Sequence, residues 1–101
     1  MKRAALPEDV VRAAVAGLDG WDLSPDGISI AKAFTFSSFS EAFAFMTQAA
    51  LLAERIDHHP DWSNSYRRVS VRLSTHSAGG LTELDIRYAE GLERIAAGRA
   101  A

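Results

Sequence analysis

The spacing of hydrophobic residues in this 101-residue chain changes several times between the period of a helix and the period of a strand. After Pro7, whose ring suits the first turn of a helix, apolar residues follow a helical stripe through residues 10–18. Within residues 69–73, valine and leucine alternate with polar residues, which is the pattern of a half-buried strand. Mixed spacing of this kind is typical of a domain that combines helices with an antiparallel sheet.

Four further elements are predicted around these two segments. Turn residues at 24–27 separate two strands, one at residues 21–23 and the other at residues 28–36. A capping box at residues 38–41 begins a long helix, and a looser capping box at residues 82–85 begins the last one. Each box supplies side chains that satisfy the free backbone donors at the start of a helix.

The resulting order is helix, two strands, helix, one long or two short strands, and helix. This order predicts an α+β fold in which helices pack on one face of an antiparallel sheet. Because domains cluster at about 100–150 residues, we expect residues 1–101 to form a single domain.

The long central helix carries apolar residues on more than one side. Its predicted stripe consists of Phe39, Ala42, Phe43, Met46, Ala50, Ala53 and Ile56. Phe45 and Leu52 lie off that stripe, so they indicate either a wide buried face or, as the second interpretation, a contact between copies of the chain. A domain of this size also has a large surface for its volume. We therefore expect a homo-oligomer, either a dimer or a tetramer.

Charge and composition narrow the functional classes. The net charge of −2 supplies no electrostatic reason to bind nucleic acid directly or an anionic membrane. Arg67, Arg68 and Arg72 are interpreted as a solvated strand face, with contact to an anionic ligand as the alternative. The chain has no cysteine, which excludes disulfides, thiolate catalysis and cysteine-based zinc sites. Charged residues interrupt any signal-peptide core within residues 8–12, so a cytoplasmic location is expected.

All three histidines lie between residues 58 and 76, each at the predicted end of an element. His58 and His59 stand where a helix runs into a proline loop, and His76 stands where a strand runs into a glycine turn. Side chains at element ends can converge on one cleft. Imidazole, with an ordinary pKa of about 6.5, can both give and take protons near neutrality. These residues therefore predict a histidine acid–base site.

Two other interpretations of the histidines remain open at this point. Each histidine taken alone is explained by a solvated or core-edge position. His58, His59 and His76 could also be three metal ligands, although adjacent histidines usually diverge and no H-E-x-x-H pair is present.

Carboxylates and aromatic residues near the histidines have both functional and structural interpretations. Glu54, Asp57 and Asp85 could orient the imidazole rings, but Asp85 also fits the N3 position of the last helix, where capping explains it. Trp62 and Tyr66 could offer flat surface to an aromatic ligand, or they could belong to the core.

The segment from Glu54 to Tyr66, continued by His76 and Asp85, resembles the signature of the pterin-4a-carbinolamine dehydratases. In that signature an acidic residue precedes His-His-Pro, and an aromatic residue, a histidine and an aspartate follow. Here the His-His-Pro unit is residues 58–60, and every other element is present. The resemblance covers about residues 21–95 and leaves the first twenty residues without a distinctive match.

The resemblance implies a reaction and a set of site residues. Members of this family remove water from a 4a-hydroxytetrahydropterin to give the quinonoid dihydropterin during tetrahydrobiopterin recycling, and no metal or organic cofactor is implied. The catalytic residues implied are His58 and His76 for proton transfer and His59 for substrate positioning. Glu54 and Asp85 are implied as supporting acids. The implied substrate-binding residues are Asp57, His58, His59, Trp62, Ser74, Thr75, His76 and Ser77.

Two alternative functions belong to the same resemblance or to the same residues. Some proteins of this fold serve as dimerisation partners of transcription factors, and related domains assist assembly of a carbon-fixing enzyme. A purely non-catalytic protein has no need of the intact His-His-Pro unit and His76, so their presence favours the enzyme. The other alternative is a metal-dependent enzyme that uses the histidines as ligands.

Overall fold

Residues 4–99 are described in the computed structural model, and they form helices and strands in the predicted order. The elements are α1 Glu8–Ala16, β1 Asp22–Leu23, β2 Ile30–Thr35, α2 Phe39–Ile56, β3 Asp61–Ser65, β4 Arg68–Leu73, a 3₁₀ turn His76–Ala78, and α3 Glu83–Ala97. The predicted α+β fold is confirmed. No helix within this described part of the chain is long and apolar enough to cross a bilayer.

The four strands form one antiparallel sheet in the order β1-β2-β4-β3. A two-residue turn at Tyr66 and Arg67 joins β3 to β4, and Asp61 pairs with Arg72 at the other end of this hairpin. The segment before Asp61 and the segment after Arg72 therefore meet at one end of the sheet. Because the first segment contains the His-His-Pro unit and the second leads to His76, sheet register brings both predicted histidine positions to the same end.

One face of the sheet forms the core with α2 and α3. Its strand residues alternate as predicted: Val69, Val71 and Leu73 are buried, while the arginines of β4 are exposed. Phe45 of α2 packs against Phe34 and Phe36, and its ring centroid lies 4.9 Å from the centroid of each. From α3, the hydroxyl of Tyr88 donates a hydrogen bond of 2.6 Å to the carbonyl of Ala49. Burial of apolar surface between helices and sheet is the main stabilising contribution here.

Lys32 occupies the core-facing phase of β2, between the buried Ile30 and Phe34. Its ammonium group donates to both carboxylate oxygens of Glu93 and to the carbonyl of Asp19, and it lies 4.8 Å from the ring centroid of Phe34. A charged side chain is tolerated at the core edge because its stem packs while its head group is paired.

The predicted stripe of α2 is wrong in part. Phe39 and Phe43 are 48% and 58% exposed, and Ala50 is also exposed, whereas the off-stripe Phe45 is fully buried. Leu52 is half-buried and packs against the core. A wide buried face is therefore the correct interpretation of the two off-stripe residues, and a contact between copies through Phe45 is excluded. Apolar side chains surround this helix, so periodicity alone did not determine which side faces the sheet.

Three local predictions also need correction. The second strand begins at Ile30 instead of residue 28, because the turn continues until Ser29 accepts a backbone hydrogen bond from Ser24. The segment after Pro60 is a strand, β3, and not a loop. Only half of the first capping box forms: the Ser38 hydroxyl accepts from the backbone of Glu41, but the Glu41 carboxylate pairs with Arg99 instead.

Candidate active site

The His-His-Pro unit is placed by the way α2 ends. Asp57 adopts a left-handed conformation with φ 53°, and the backbone of His58 donates to the carbonyl of Ala53 at 3.0 Å. A left-handed residue after the last turn is a common way to end a helix and reverse the chain. The reversal directs the next residues back toward the sheet, where Asp61 begins β3.

His58 is held by a buried carboxylate. Its Nε2 lies 2.5 Å from Oδ1 of Asp85, with His58 8% exposed and Asp85 fully buried. Because a carboxylate only accepts hydrogen bonds, Nε2 carries a proton and donates to Asp85. In the neutral ring, the lone pair is then on Nδ1, which is the atom available to gain or lose a proton.

Asp85 connects His58 to the segment that precedes His76. Its other oxygen, Oδ2, accepts from the hydroxyl of Thr75 at 2.7 Å and from the backbone of Thr82 at 2.9 Å. The two threonine hydroxyls lie 2.9 Å apart. The predicted looser capping box is therefore present, and the same aspartate serves both the helix and the histidine. Buried polar networks that are fully satisfied hold their members in one geometry.

His59 takes part in a separate, exposed pair. Its Nε2 lies 2.5 Å from Oε2 of Glu54, in the last turns of α2. The side chains of His59 and Glu54 are 56% and 76% exposed. Such a pair orients the ring but contributes little to folding stability, because water screens it on most sides.

His76 begins the 3₁₀ turn and is exposed, and within residues 4–99 its imidazole has no hydrogen-bond partner. It lines an open cavity of about 200 Å³, whose other lining residues are Asp26, Ile28, Ser29, Asp61, Arg72 and Ser74. A neighbouring cavity of about 190 Å³ is lined by Ile28, Ser74, Thr75, His76, Gly79 and Gly80. Thr75 therefore borders the space around His76 and also bonds to the carboxylate that holds His58.

The turn between β1 and β2 lines part of the cavity beside His76. The sequence pattern did not predict this position for the turn. Asp26, Ile28 and Ser29 come from a segment interpreted only as a turn. The Ser-Pro-Asp-Gly pattern predicts a reversal of the chain but not what the reversed segment faces. The available sequence signal for Asp26 is a carboxylate placed between a proline and a glycine, within a turn.

The other residues predicted near the histidines do not line the two cavities beside His76. Trp62 is half-buried against the core and lines an open depression of about 500 Å³ on the uncovered sheet face, together with Arg68 and Arg72. Tyr66 is 67% exposed at the far end of the β3–β4 hairpin, so it belongs neither to the core nor to the histidine site. Asp57 and Ser77 are exposed.

Among residues 4–99, no three histidine, aspartate or glutamate side chains are arranged to hold one metal ion.

Comparison with known proteins points to the same family as the sequence pattern. Residues 4–95 match the family model described as pterin 4 alpha carbinolamine dehydratase. A relative from Mesorhizobium japonicum, provisionally named a pterin-4-alpha-carbinolamine dehydratase, is 53% identical over 97% of this chain and 100% of its own length. A similarly named relative from Rhizobium etli is 54% identical over 98% of each chain.

Two solved structures share the fold. The transcriptional coactivator/pterin dehydratase from Brucella melitensis is similar with a TM-score of 0.88 and 49% identity, over 91% of this chain and 98% of that one. A pterin dehydratase-like protein identified as a RuBisCO assembly factor in the alpha-carboxysome has a TM-score of 0.67 and 22% identity, over 76% of this chain and 89% of that one. The second likeness concerns the fold alone. The family model matches residues 4–95, and two relatives are more than 50% identical over nearly the whole chain. This chain therefore belongs to the pterin 4 alpha carbinolamine dehydratase family.

Proposed function

We propose that this protein dehydrates a 4a-hydroxytetrahydropterin to the quinonoid dihydropterin by histidine acid–base catalysis. A general acid gives a proton to the 4a-hydroxyl, the bond between C4a and oxygen breaks, and a general base removes a proton from a ring nitrogen. The products are water and the quinonoid dihydropterin. Histidine suits both transfers because its ordinary pKa is close to neutral pH.

The observation that supports this proposal best is the connection from His58 through Asp85 to Thr75. It couples a buried histidine with one defined tautomer to the segment that carries the exposed His76. A fixed ring and an accessible ring at the same end of the sheet are suited to be the two proton-transfer groups. We assign proton transfer to His58 and His76, and substrate positioning to His59, which Glu54 orients.

The remaining substrate-binding residues are assigned as Asp57, Trp62, Ser74, Thr75 and Ser77. Ser74 and Thr75 line the cavities around His76. The hydroxyl of Thr75 is already bonded to Asp85, so its main contribution is to hold the network in place. No step in this scheme requires a metal ion.

The decisive experiment is a dehydration assay on freshly generated 4a-hydroxytetrahydropterin. The wild-type protein is expected to accelerate loss of water well above the uncatalysed rate, and the His58→Ala/His76→Ala double variant is expected to lose nearly all of that acceleration. Activity should survive exhaustive chelation. Turnover that chelation abolishes and zinc restores would favour the metal-dependent alternative.

A non-catalytic role is the alternative function. It is motivated by the Brucella melitensis relative, which is named both a transcriptional coactivator and a pterin dehydratase. A protein with only that role would leave the rate of dehydration unchanged in the same assay. Acceleration by the wild-type protein therefore separates the two functions.

We also propose that the protein is a homo-oligomer, either a dimer or a tetramer. Phe39 and Phe43 lie together on α2 with ring centroids 5.9 Å apart and remain about half exposed. Exposed aromatic surface of this kind is costly for a monomer in water. Light scattering at micromolar concentration tests the proposal, and a particle of 10.9 kDa would contradict it.

A further inference from the structure

The cavity beside His76 is also lined by a carboxylate from a different segment of the chain. Asp26 reaches it from the turn between β1 and β2. Its Oδ1 accepts from the hydroxyl of Ser24 at 2.6 Å and from the backbone of Ile28 at 3.2 Å. Within the described part of the chain, no other residue donates a hydrogen bond to Oδ2. The turn therefore holds one carboxylate oxygen and leaves the other available to a ligand.

Asp26 is also kept in its ionised form. The hydrogen bond from Ser24, followed by the one from Ile28, holds the pKa of Asp26 below its ordinary value, and the charge of Arg72 acts in the same direction. Arg72 lies 4.0 Å from Asp61, which lines the cavity as well. The cavity therefore presents an anionic acceptor at Asp26 and a balancing cation between the two aspartates.

The other lining groups offer the apolar and polar surface that a bicyclic pterin needs. Ile28 is 46% exposed and offers an apolar side chain beside the space. His76 and Ser74 lie on the side that belongs to the end of β4. A pterin carries hydrogen-bond donors along its pyrimidine edge, at the 2-amino group and N3, whereas the reacting C4a lies where its two rings join.

We infer that Asp26 is a specificity-determining residue, whose Oδ2 accepts from the 2-amino edge of the pterin while Ile28 covers a face of the ring. This inference rests on the proposed function. A carboxylate that accepts from these donors holds the substrate by its pyrimidine edge, away from C4a, and leaves the reacting centre for His76. Charged acceptors form stronger and more selective hydrogen bonds than neutral ones.

The inference predicts a preference between two ligands of nearly equal shape. Lumazine carries a carbonyl oxygen in place of the 2-amino group of pterin, so it presents an acceptor to the Asp26 carboxylate. The wild-type protein should bind pterin more tightly than lumazine by on the order of 10- to 100-fold, because an unmatched charged acceptor loses its hydrogen bond.

Asp26→Asn tests this with little change of structure. The asparagine Oδ1 can keep both turn bonds, while its Nδ2 replaces an acceptor with a donor. The preference for pterin over lumazine should disappear or reverse, KM for the 4a-hydroxytetrahydropterin should rise by on the order of 10- to 100-fold, and kcat should stay close to wild type. Fluorescence titration measures both ligands. Their affinity ratio is independent of the folded fraction, so partial unfolding of the variant does not affect the answer.

Two control variants locate the effect. Asp22→Asn removes an exposed carboxylate that does not line this cavity, and it should leave the ligand preference unchanged. Asp61→Asn removes the other carboxylate of the cavity. If Asp61→Asn abolished the preference and Asp26→Asn kept it, the assignment to Asp26 would be overturned.

The outcomes also separate this inference from the proposed function. A wild-type protein that accelerates dehydration while Asp26→Asn retains the wild-type ligand preference and KM contradicts the role of Asp26 alone. A wild-type protein that neither accelerates dehydration nor binds pterin contradicts both.

Discussion

Asp85 and His58 lie 27 positions apart in the sequence, yet their side chains meet at 2.5 Å in the interior of the protein. The same carboxylate caps the start of α3 and binds the hydroxyl of Thr75. A single aspartate thus sets the start of a helix, the tautomer of a histidine and the position of the segment that leads to His76. Changes at Asp85 should therefore affect both folding and the proposed chemistry.

Asp85→Asn should change which nitrogen of His58 carries the proton. An asparagine that keeps its oxygen toward Thr75 and Thr82 turns its amide group toward Nε2 of His58, so the neutral ring must place its proton on Nδ1. Turnover should fall by on the order of 10²-fold, since a misplaced proton removes much of an acid–base contribution. Nitrogen NMR of the imidazole measures the tautomer directly. An unchanged Nε2–H signal together with full activity would contradict this role of Asp85.

His76→Ala should separate activity from stability. A positioned acid–base group contributes roughly 10²- to 10⁴-fold to rate, whereas an exposed substitution usually changes stability by only about 0.5 kcal/mol. Turnover should therefore fall steeply while the urea midpoint hardly moves. Turnover and unfolding are to be measured on the same preparation. Near-normal turnover would remove His76 from the mechanism.

His58→Ala is the matched comparison, and the structure predicts a different result for it. The substitution leaves the buried Asp85 carboxylate without one of its donors, which should lower the free energy of unfolding by about 1–3 kcal/mol. The double variant His58→Ala/His76→Ala should lose less activity than the product of the two single losses, because the residues act as a unit. A urea midpoint for His58→Ala equal to that of wild type would show that Asp85 finds another donor.

Tyr88 should make the protein less stable at alkaline pH. Burial raises the pKa of Tyr88 to about 12, from an ordinary value of 10.0. As the pH rises from 10 toward 12, the unfolded chain loses this proton while the folded chain keeps it, so the free energy of unfolding decreases by up to about 2–3 kcal/mol. Below pH 10 both states hold the proton, and the contribution is constant.

Tyr88→Phe should remove that part of the alkaline decrease, as measured by urea unfolding at several pH values. Tyr66→Phe is the control, because Tyr66 is 67% exposed and should leave the pH profile unchanged. At neutral pH, Tyr88→Phe should cost about 0.5–1.5 kcal/mol, since the carbonyl of Ala49 loses one donor. Equal alkaline profiles for wild type and Tyr88→Phe would contradict the assignment.

Gly91 allows α2 and α3 to approach closely. A Cβ atom at this position would overlap Cδ2 of Leu52, which packs against the core. Gly91→Ala should lower the free energy of unfolding by about 1 kcal/mol, because the half-buried Leu52 methyl must shift and the higher helix propensity of alanine offsets part of that cost. Leu52→Ala should relieve much of this cost in the double variant, so that the two changes cost less together than their sum.

Gly17→Ala is the control for Gly91→Ala. Gly17 has a right-handed conformation with φ −86°, and the nearest atom to an added Cβ is 3.5 Å away. Its substitution should leave the thermal midpoint the same or slightly higher. A Gly91→Ala protein as stable as Gly17→Ala would show that the Leu52 side chain moves aside without cost.

Much of the fold could be predicted because its signals are local. The alternation through Val69, Val71 and Leu73 specifies a strand with one buried face. In the structure these three residues are buried, and the polar residues between them are exposed or partly exposed. The rotation of α2 could not be predicted in the same way. Since Phe39, Phe43 and Phe45 are equally apolar, only packing against the sheet decided that Phe45 is buried and the other two are exposed.

By itself, the sequence determined the order of helices and strands, the capping residues and the histidine signature, since all of these depend on residue types at short fixed spacings. Only the tertiary structure decided that Asp85 binds His58 and that Asp26 faces the cavity beside His76. Both relationships join segments that are distant in the chain. They depend on sheet register and on helix packing, which arise when the whole core is assembled and leave no periodic trace in the sequence.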